Sequence, residues 1–481
     1  MKKNDIVTVS VTDLTTEGEG IGRAGAFPLF IKDAIPGDTV RAVVTKLKKN
    51  YGYGKMLEIL KPSADRVPMR CPLSRRCGGC QAGETDYAAQ LRFKTRKVME
   101  NLQRLGGFTV YEAAAEYAAE TDAVRAEFPS DPDAVPVFPC IGMEEPWRYR
   151  DKAQVPFGKN KAGETICGFY AGRTHDIIES EDCLLTPPEF ADILRMIKRW
   201  MKQSCIAPYD ETSGTGLLRH VLIRKGFCTG EILVCLIVNG RRVPKTDALI
   251  ASLKAEIAGF KTLSVNINET RGNTILGAET RQIYGPGHIE DLLSGVRFRI
   301  SPQSFYQVNP MQTEKLYGKA LEYAGLTGNE TVWDLYCGIG TISLFLAEKA
   351  GKVYGVEIVP QAVLDARENA KLNGFSNTEF FTGKAEEVLP AWVEAHPDEQ
   401  IDVITVDPPR KGCDEKCLET IGRMQPKRVV YVSCDSATLA RDLKILTQQY
   451  GYRVEKVQPV DMFPQTVAVE TVVQLSGGNG R

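Results

Sequence analysis

Thirteen cysteines are scattered along the 481 residues, and one of them closes an apolar run, Tyr431-Val432-Ser433-Cys434-Asp435. Glu470 lies in a second apolar run, Val467-Ala468-Val469-Glu470-Thr471-Val472-Val473. A thiolate and a carboxylate together suit chemistry on a pyrimidine ring. C5 of uracil is a poor nucleophile, but a thiolate adding at C6 turns C5 into an enolate-like carbon that attacks an electrophilic methyl group. A base must then take the C5 proton so that the thiol can leave. Cys434 is the candidate nucleophile and Glu470 the candidate base.

Three upstream stretches supply the rest of a site: Trp333-Asp334-Leu335-Tyr336-Cys337-Gly338-Ile339-Gly340, Val356-Glu357 and Val406-Asp407-Pro408-Pro409-Arg410. Gly338 and Gly340 let backbone approach a ligand closely. Glu357, at the end of the next strand, is placed to accept ribose hydroxyls. Asp407 and its two prolines put a carboxylate and a rigid turn beside the reactive group. The full G-x-G-x-x-G of dinucleotide enzymes is absent, and the set resembles class I S-adenosylmethionine methyltransferases rather than dehydrogenases. Amino-methylating enzymes hold a planar base with an aromatic after the Pro-Pro pair. Arg410 stands there instead, which directs the reading to carbon.

The elements that must position these residues form a doubly wound parallel sheet. Strands are expected at Thr331–Leu335, Lys352–Glu357, 403–407 and 429–433, alternating with helices at 342–348 and 362–373. Such a sheet binds ligands at the carboxyl ends of its strands, at the topological switch point. Asn309-Pro310 reads as the cap and first residue of a leading helix. This Rossmann-like methyltransferase domain is expected over residues 291–481. A central mixed α+β domain over 63–290 holds paired strands around Arg219–Arg224 and Glu231–Val238, and a helix from about 87 to 105 that packs on the catalytic domain. Residues 110–135, rich in Ala and Glu, read as a partly helical acidic surface insertion. Residues 1–62 alternate apolar and polar with Gly18, Gly20, Gly22 and Gly25 as turns, which predicts a small OB-like antiparallel barrel. The run Lys46-Leu47-Lys48-Lys49-Asn50-Tyr51-Gly52-Tyr53 interleaves lysines with aromatics, a pattern for phosphate attraction and base stacking.

The loop Cys71-Pro72-Leu73-Ser74-Arg75-Arg76-Cys77-Gly78-Gly79-Cys80 spaces three cysteines by five and two residues. They can face one metal centre, with Cys183, or secondarily Cys167, as the fourth ligand. All-thiolate ligation favours an iron–sulfur cluster over zinc. The 4 histidines are dispersed and offer no histidine metal site. With 43% hydrophobic and 25% charged residues and a net charge of −1, the chain is an ordinary multi-domain globular protein. It has no run of about 20 apolar residues that could cross a bilayer. Scattered cysteines and the start Met1-Lys2-Lys3-Asn4-Asp5, with no apolar run behind it, predict a cytoplasmic protein and no disulfide framework.

Gly18-Glu19-Gly20-Ile21-Gly22-Arg23 followed by Ile35-Pro36-Gly37-Asp38 resembles the TRAM domain, which implies RNA contact. Ser304-Phe305-Tyr306-Gln307-Val308-Asn309, the 334–338 and 407–412 stretches, Cys434-Asp435 with Thr438-Leu439-Ala440-Arg441-Asp442, and Asp461-Met462-Phe463-Pro464 together resemble the RNA uracil-5 methyltransferase family over almost the whole chain. The resemblance implies Cys434 as nucleophile, Glu470 as base, and S-adenosylmethionine held by Gln307, Tyr336, Glu357 and Asp407. The barrel with Cys71, Cys77, Cys80 and Cys183 resembles the 23S ribosomal RNA branch, whose members carry a [4Fe-4S] cluster. A uridine in 23S rRNA is then the expected target and a monomer the expected state. The tRNA T-loop uridine is the alternative target, and a non-catalytic RNA-binding protein the alternative of another class. Two stretches depart from the family pattern. Gln465, Val467 and Ala468 stand where His-Thr-x-His is usual, and Asp435-Ser436 replaces Asn-Pro.

Overall fold

Strict alternation along Ile6–Leu14 and Thr39–Leu47 puts Val9, Val11, Val40, Ala42 and Val44 on one face, and these residues fill the interior of a closed barrel. The barrel belongs to a computed structural model that describes residues 1–114, 131, 133–172, 174–180 and 182–477. Its strand order is Ile6–Leu14, Gly20–Ala24, Phe27–Lys32, Gly52–Lys61, Thr39–Leu47. Gly20 is required by contact, since a Cβ there would lie 2.6 Å from the Ala34 carbonyl oxygen.

The central sheet has seven strands, in the order Ile177–Glu179, Thr165–Tyr170, Lys152–Lys159, Leu218–Lys225, Ile232–Val238, Phe260–Ile267, Glu279–Tyr284. Helices Glu189–Gln203 and Thr246–Glu256 cover one face, burying Ile193, Ile197, Trp200, Leu249 and Leu253 against Val221, Val234 and Leu236. From the other face Leu222, Leu233 and Ile237 join the hairpin Ile289–Leu293/Val296–Ile300 and Leu316 of the catalytic unit in one continuous core.

Nine strands form the C-terminal sheet: Thr378–Thr382, Lys352–Glu357, Thr331–Leu335, Val403–Val406, Arg428–Ser433, Glu470–Ser476, Arg453–Val460, Val135–Val137, Val110–Glu112. The first five run parallel, and Glu470–Ser476 enters antiparallel between Arg428–Ser433 and Arg453–Val460. The four inner parallel strands are apolar runs buried on both faces, as a sheet covered by helices on both sides requires, while the edge strand Thr378–Thr382 is largely uncovered. Val110–Glu112 and Val135–Val137 fall within the span the sequence assigned to the central domain, yet both extend this catalytic sheet. The expected helical insertion at 110–135 therefore begins and ends as strand, and its interior, 115–130, lies outside the described residues.

Helix Tyr87–Asn101, capped by Asp86, packs on helix Ser436–Tyr450 of the catalytic unit and continues as a π-turn over Leu102–Gly106. Lys94 and Asp461, both fully buried, form an ion pair of 2.5 Å, and Tyr87 donates to the other Asp461 oxygen at 2.9 Å. No helix among the described residues is long and apolar enough to cross a membrane.

Candidate active site

Thr331–Leu335 pairs with Lys352–Glu357 on one side and Val403–Val406 on the other, so chain direction around the sheet reverses there. A cleft of about 1720 Å³ opens at these strand ends, and Gln307, Tyr336, Gly338, Glu357, Asp407, Cys434 and Glu470 all line it. Gly340 does not line it. It sits at φ +84° as the N-cap of helix Thr341–Ala347 and sets that helix's direction. Gly338, at φ +55°, has open space where a Cβ would be, so its backbone is free to meet a ligand.

Glu357 ends its strand with the carboxylate fixed by two backbone amides, Gly338 N–H at 3.2 Å and Val359 N–H at 2.9 Å. Asp334 is buried beneath and accepts from Ser343 Oγ at 2.5 Å and Thr405 Oγ at 3.1 Å, which ties strand to helix. Burial pushes Asp334 up to about 7 against those hydrogen bonds. Asp407 is likewise pushed to about 7, by burial first and Asp334 second. No donor of the described residues hydrogen-bonds the Asp407 carboxylate. A carboxylate so placed fits a cationic ligand group, and the hydroxyl-accepting Glu357 fits a ribose, so the residues present suit S-adenosylmethionine. Gln307, mostly buried, hydrogen-bonds the buried Tyr317 and faces the same cleft.

The antiparallel register opposes Ser433 to Thr471, which sets Cys434 and Glu470 side by side at the ends of neighbouring strands. Burial pushes the Cys434 thiol up to about 12, with Glu470 and Asp407 adding to the rise and Arg410 opposing it. Glu470 is 3% exposed, with Oε2 buried and lacking any hydrogen-bond partner. Burial raises it to about 8, helped by Asp407 and opposed by Arg410. Asp435 caps helix Ser436–Tyr450, accepting from Ala437 and Thr438 N–H at 2.8 and 3.2 Å. The Asp435-Ser436 departure thus keeps the capping function, because Asp and Asn cap equally well.

The four candidate cluster cysteines converge without closing on a centre. Cys77 and Cys80 line the cleft mouth, and Cys183 packs with Cys80 near Tyr87 and Trp147. Burial pushes Cys80 up to about 12, and Cys183, Cys77 and Cys71 each add to it. Among the described residues, however, no group of three or more His, Cys, Asp or Glu side chains stands at metal-holding spacing. Cys167, the second candidate, is buried in the core of the central sheet. The arginines around the loop are largely engaged. Arg66 pairs with Asp38 at 2.6 Å and also with Glu84, Arg75 pairs with Glu84 at 2.6 Å, and Arg96 with Asp13 at 2.5 Å. They fasten loop, barrel and helix to one another.

Sequence reasoning missed Lys152 and Asn101, which also line the cleft. Asp151 is 2% exposed and raised to about 7 by burial, against the pull of Arg224, itself 1% exposed. Two opposite charges brought near each other from segments distant in sequence leave no mark in local pattern.

Comparison with known proteins identifies the family. A profile described as tRNA (Uracil-5-)-methyltransferase matches residues 230–477, and a TRAM domain profile matches residues 2–57. An uncharacterized RNA methyltransferase of Halalkalibacterium halodurans is 47% identical over 99% of this chain and 98% of its own length. Another from Clostridium acetobutylicum is 46% identical over the same shares. Among solved structures, the tRNA (uracil-54, C5)-methyltransferase of Pyrococcus abyssi in complex with S-adenosyl-L-homocysteine superposes with a TM-score of 0.74 at 22% identity, over 98% of this chain and 100% of that one. Barrel, sheet and matched length together place the chain in the tRNA (uracil-5-)-methyltransferase family of S-adenosylmethionine-dependent RNA methyltransferases, with a TRAM domain ahead of the catalytic unit.

Proposed function

We propose that the chain methylates C5 of a specific uridine in 23S rRNA through a covalent adduct at Cys434, acting as a cytoplasmic monomer. The observation that carries this reading is the pairing of Cys434 with Glu470 at adjacent strand ends, with a buried Glu470 oxygen lacking any partner. Bound S-adenosylmethionine supplies an electrophilic methyl group. Glu357 would accept its ribose hydroxyls, the Asp407 carboxylate would answer its positive charge, and Gln307 and Tyr336 would complete the binding wall. The target uridine leaves its stack to reach Cys434. The thiolate adds to C6, C5 takes the methyl group, and C5 then carries both a methyl group and a proton. Glu470 removes that proton, the C5–C6 double bond reforms, and the S–C6 bond breaks to release Cys434. Burial disfavours the thiolate, and Arg410 is the charge that favours it as the ring docks.

The thiols of Cys71, Cys77, Cys80 and Cys183 fit a [4Fe-4S] cluster in their chemistry. Burial opposes ionisation of Cys77, Cys80 and Cys183, and a cationic centre would stabilise them as thiolates. A cluster there would join the Cys71–Cys80 loop to the Cys183 segment, a structural role. Replacing Cys77 with Ala should lose iron and folded protein, whereas normal turnover without iron would remove this assignment.

The choice of rRNA rests on the barrel and cysteine set together. The archaeal neighbour is by its title a tRNA enzyme, but at 22% identity the likeness carries the fold alone. Methyl incorporation on separate 23S rRNA fragments and tRNA transcripts tests the choice. Incorporation on tRNA alone would overturn it, and incorporation on neither would favour a non-catalytic RNA-binding protein.

A further inference from the structure

The segment that delivers Glu470 to the site is held carbonyl by carbonyl. Gln312 Nε2 donates to the Asp461 carbonyl at 3.0 Å, Asn309 Nδ2 to Met462 at 3.1 Å, Lys94 Nζ to Phe463 at 3.1 Å and Tyr149 Oη to Pro464 at 2.9 Å. The Ala82 amide donates to the Gln465 carbonyl at 2.9 Å, and Lys97 Nζ to Val467 at 2.8 Å. Four separate parts of the chain thus converge on seven residues just ahead of the proposed base. Burial alone does not demand this, because each carbonyl needs only one partner, which water supplies at an open loop.

At the middle of the segment two glutamines lock reciprocally. Gln465 N–H donates to Gln90 Oε1 at 3.0 Å, and Gln90 Nε2 donates to Gln465 Oε1 at 3.1 Å. A backbone N–H is only ever a donor, so it fixes which way the Gln90 amide points. Gln90 Nε2 also reaches the carbonyls of Ala82 and Thr85, at 3.1 and 2.9 Å. Both side chains are almost wholly buried, at 2% and 3% exposure. Gln465 is moreover held at φ +69°, a left-handed backbone that a non-glycine residue keeps only when its surroundings impose it. Gln90, Lys94 and Lys97 share one face of helix Tyr87–Asn101 at i, i+4 and i+7, so one helix face grips Phe463, Gln465 and Val467.

We propose that Gln90 and Gln465 are positioning residues for proton abstraction: their reciprocal bonds hold the strained segment so that the Glu470 carboxylate faces C5 of the adduct. Neither glutamine touches the ring. This rests on the function proposed above, in which Glu470 is the base. Loosening the lock slows the last step and leaves nucleophilic addition intact, because Cys434 is carried by another strand and by its own capped helix.

The test is the amount of covalent enzyme–RNA adduct that survives denaturing electrophoresis, with S-adenosylmethionine and an rRNA fragment that wild type methylates. Gln90→Met removes all the side-chain bonds at similar volume. Gln465→Gly suits the left-handed backbone and keeps both main-chain bonds, so it preserves the fold. Misplacing the base by about 1 Å costs about a hundredfold in the step it serves, so turnover falls by that order while methylated adduct accumulates and the KM for RNA stays within about twofold. Adduct formation itself requires a folded site, which separates this outcome from simple destabilisation. Turnover that is unchanged in Gln465→Gly, or that falls in both variants with no adduct, overturns the proposal. Glu470→Gln runs in parallel. If it accumulates no adduct, the assignment of the base is wrong; if it does and the glutamine variants do not, only the lock is wrong.

Discussion

If Glu470 takes the C5 proton, its ionisation must govern the last chemical step, and burial sets where that occurs. With the carboxyl raised to about 8, roughly 1% is ionised at pH 6, roughly a tenth at pH 7 and roughly nine-tenths at pH 9. The rate constant for releasing the C5 proton should therefore rise by about two orders of magnitude from pH 6 to 9 and then level. The Cys434 thiol, raised to about 12, would give a different curve, a tenfold rise per pH unit continuing beyond pH 10. A pH jump separates the two. Adduct formed at pH 6 on RNA tritiated at C5 of uridine is mixed rapidly with buffers from pH 6 to 11, and tritium release is followed by acid quench. A plateau above pH 9 is expected, and Glu470→Gln should abolish the rise. A profile flat from pH 6 to 9, or one still climbing at pH 11, would refute the reasoning.

The same buried carboxyls affect stability. Glu470, Asp407 and Asp334 are all raised by burial, so the folded chain holds their protons more tightly than the unfolded chain does. The stability this contributes is complete below about pH 4 and is lost as pH rises through about 7 for the aspartates and about 8 for Glu470. Calorimetry of the ligand-free protein should find this contribution lowering Tm between about pH 4 and 8, and lowering it less in Glu470→Gln; a Tm difference between wild type and Glu470→Gln that does not change with pH would contradict the burial. On the barrel, Tyr51 stacks on Phe30 at 5.1 Å and meets Tyr53 edge-on at 5.7 Å. Tyr51→Ala should weaken binding of single-stranded RNA by about 1–3 kcal/mol in a fluorescence titration, and unchanged affinity would make the cluster merely structural. Gly355→Ala puts a Cβ 2.5 Å from Phe380 and 2.9 Å from the Cys337 sulfur. It should cost about 1–3 kcal/mol in denaturant unfolding, and full stability would show that Phe380 can move aside.

Four of the five parallel strands were legible as apolar runs, and Thr331–Leu335 and Lys352–Glu357 begin and end where the sequence puts them; the half-exposed edge strand Thr378–Thr382 was missed because Thr-Glu-Phe-Phe-Thr is not such a run. Asn309 and Pro310 cap and open helix Pro310–Ala324 as expected, for capping chemistry is local. The three-residue strands Val110–Glu112 and Val135–Val137 were not legible, because a strand that short carries no period. The Gln90–Gln465 pair joins residues 375 apart, and no local pattern marks either glutamine. Arg66, Arg75 and Arg96, around the cysteine loop, are spent on carboxylates from elsewhere in the chain. Sequence shows a charge but not its partner.

The central claim is carbon methylation through Cys434, and tritium release tests it most directly. Wild type and Cys434→Ala are compared on rRNA fragments and tRNA labelled at C5 of uridine, with S-adenosylmethionine. The account predicts one tritium released per methyl group incorporated by wild type on an rRNA fragment, and neither event in the variant. Methyl incorporation without tritium loss, or release that persists in Cys434→Ala, would contradict it.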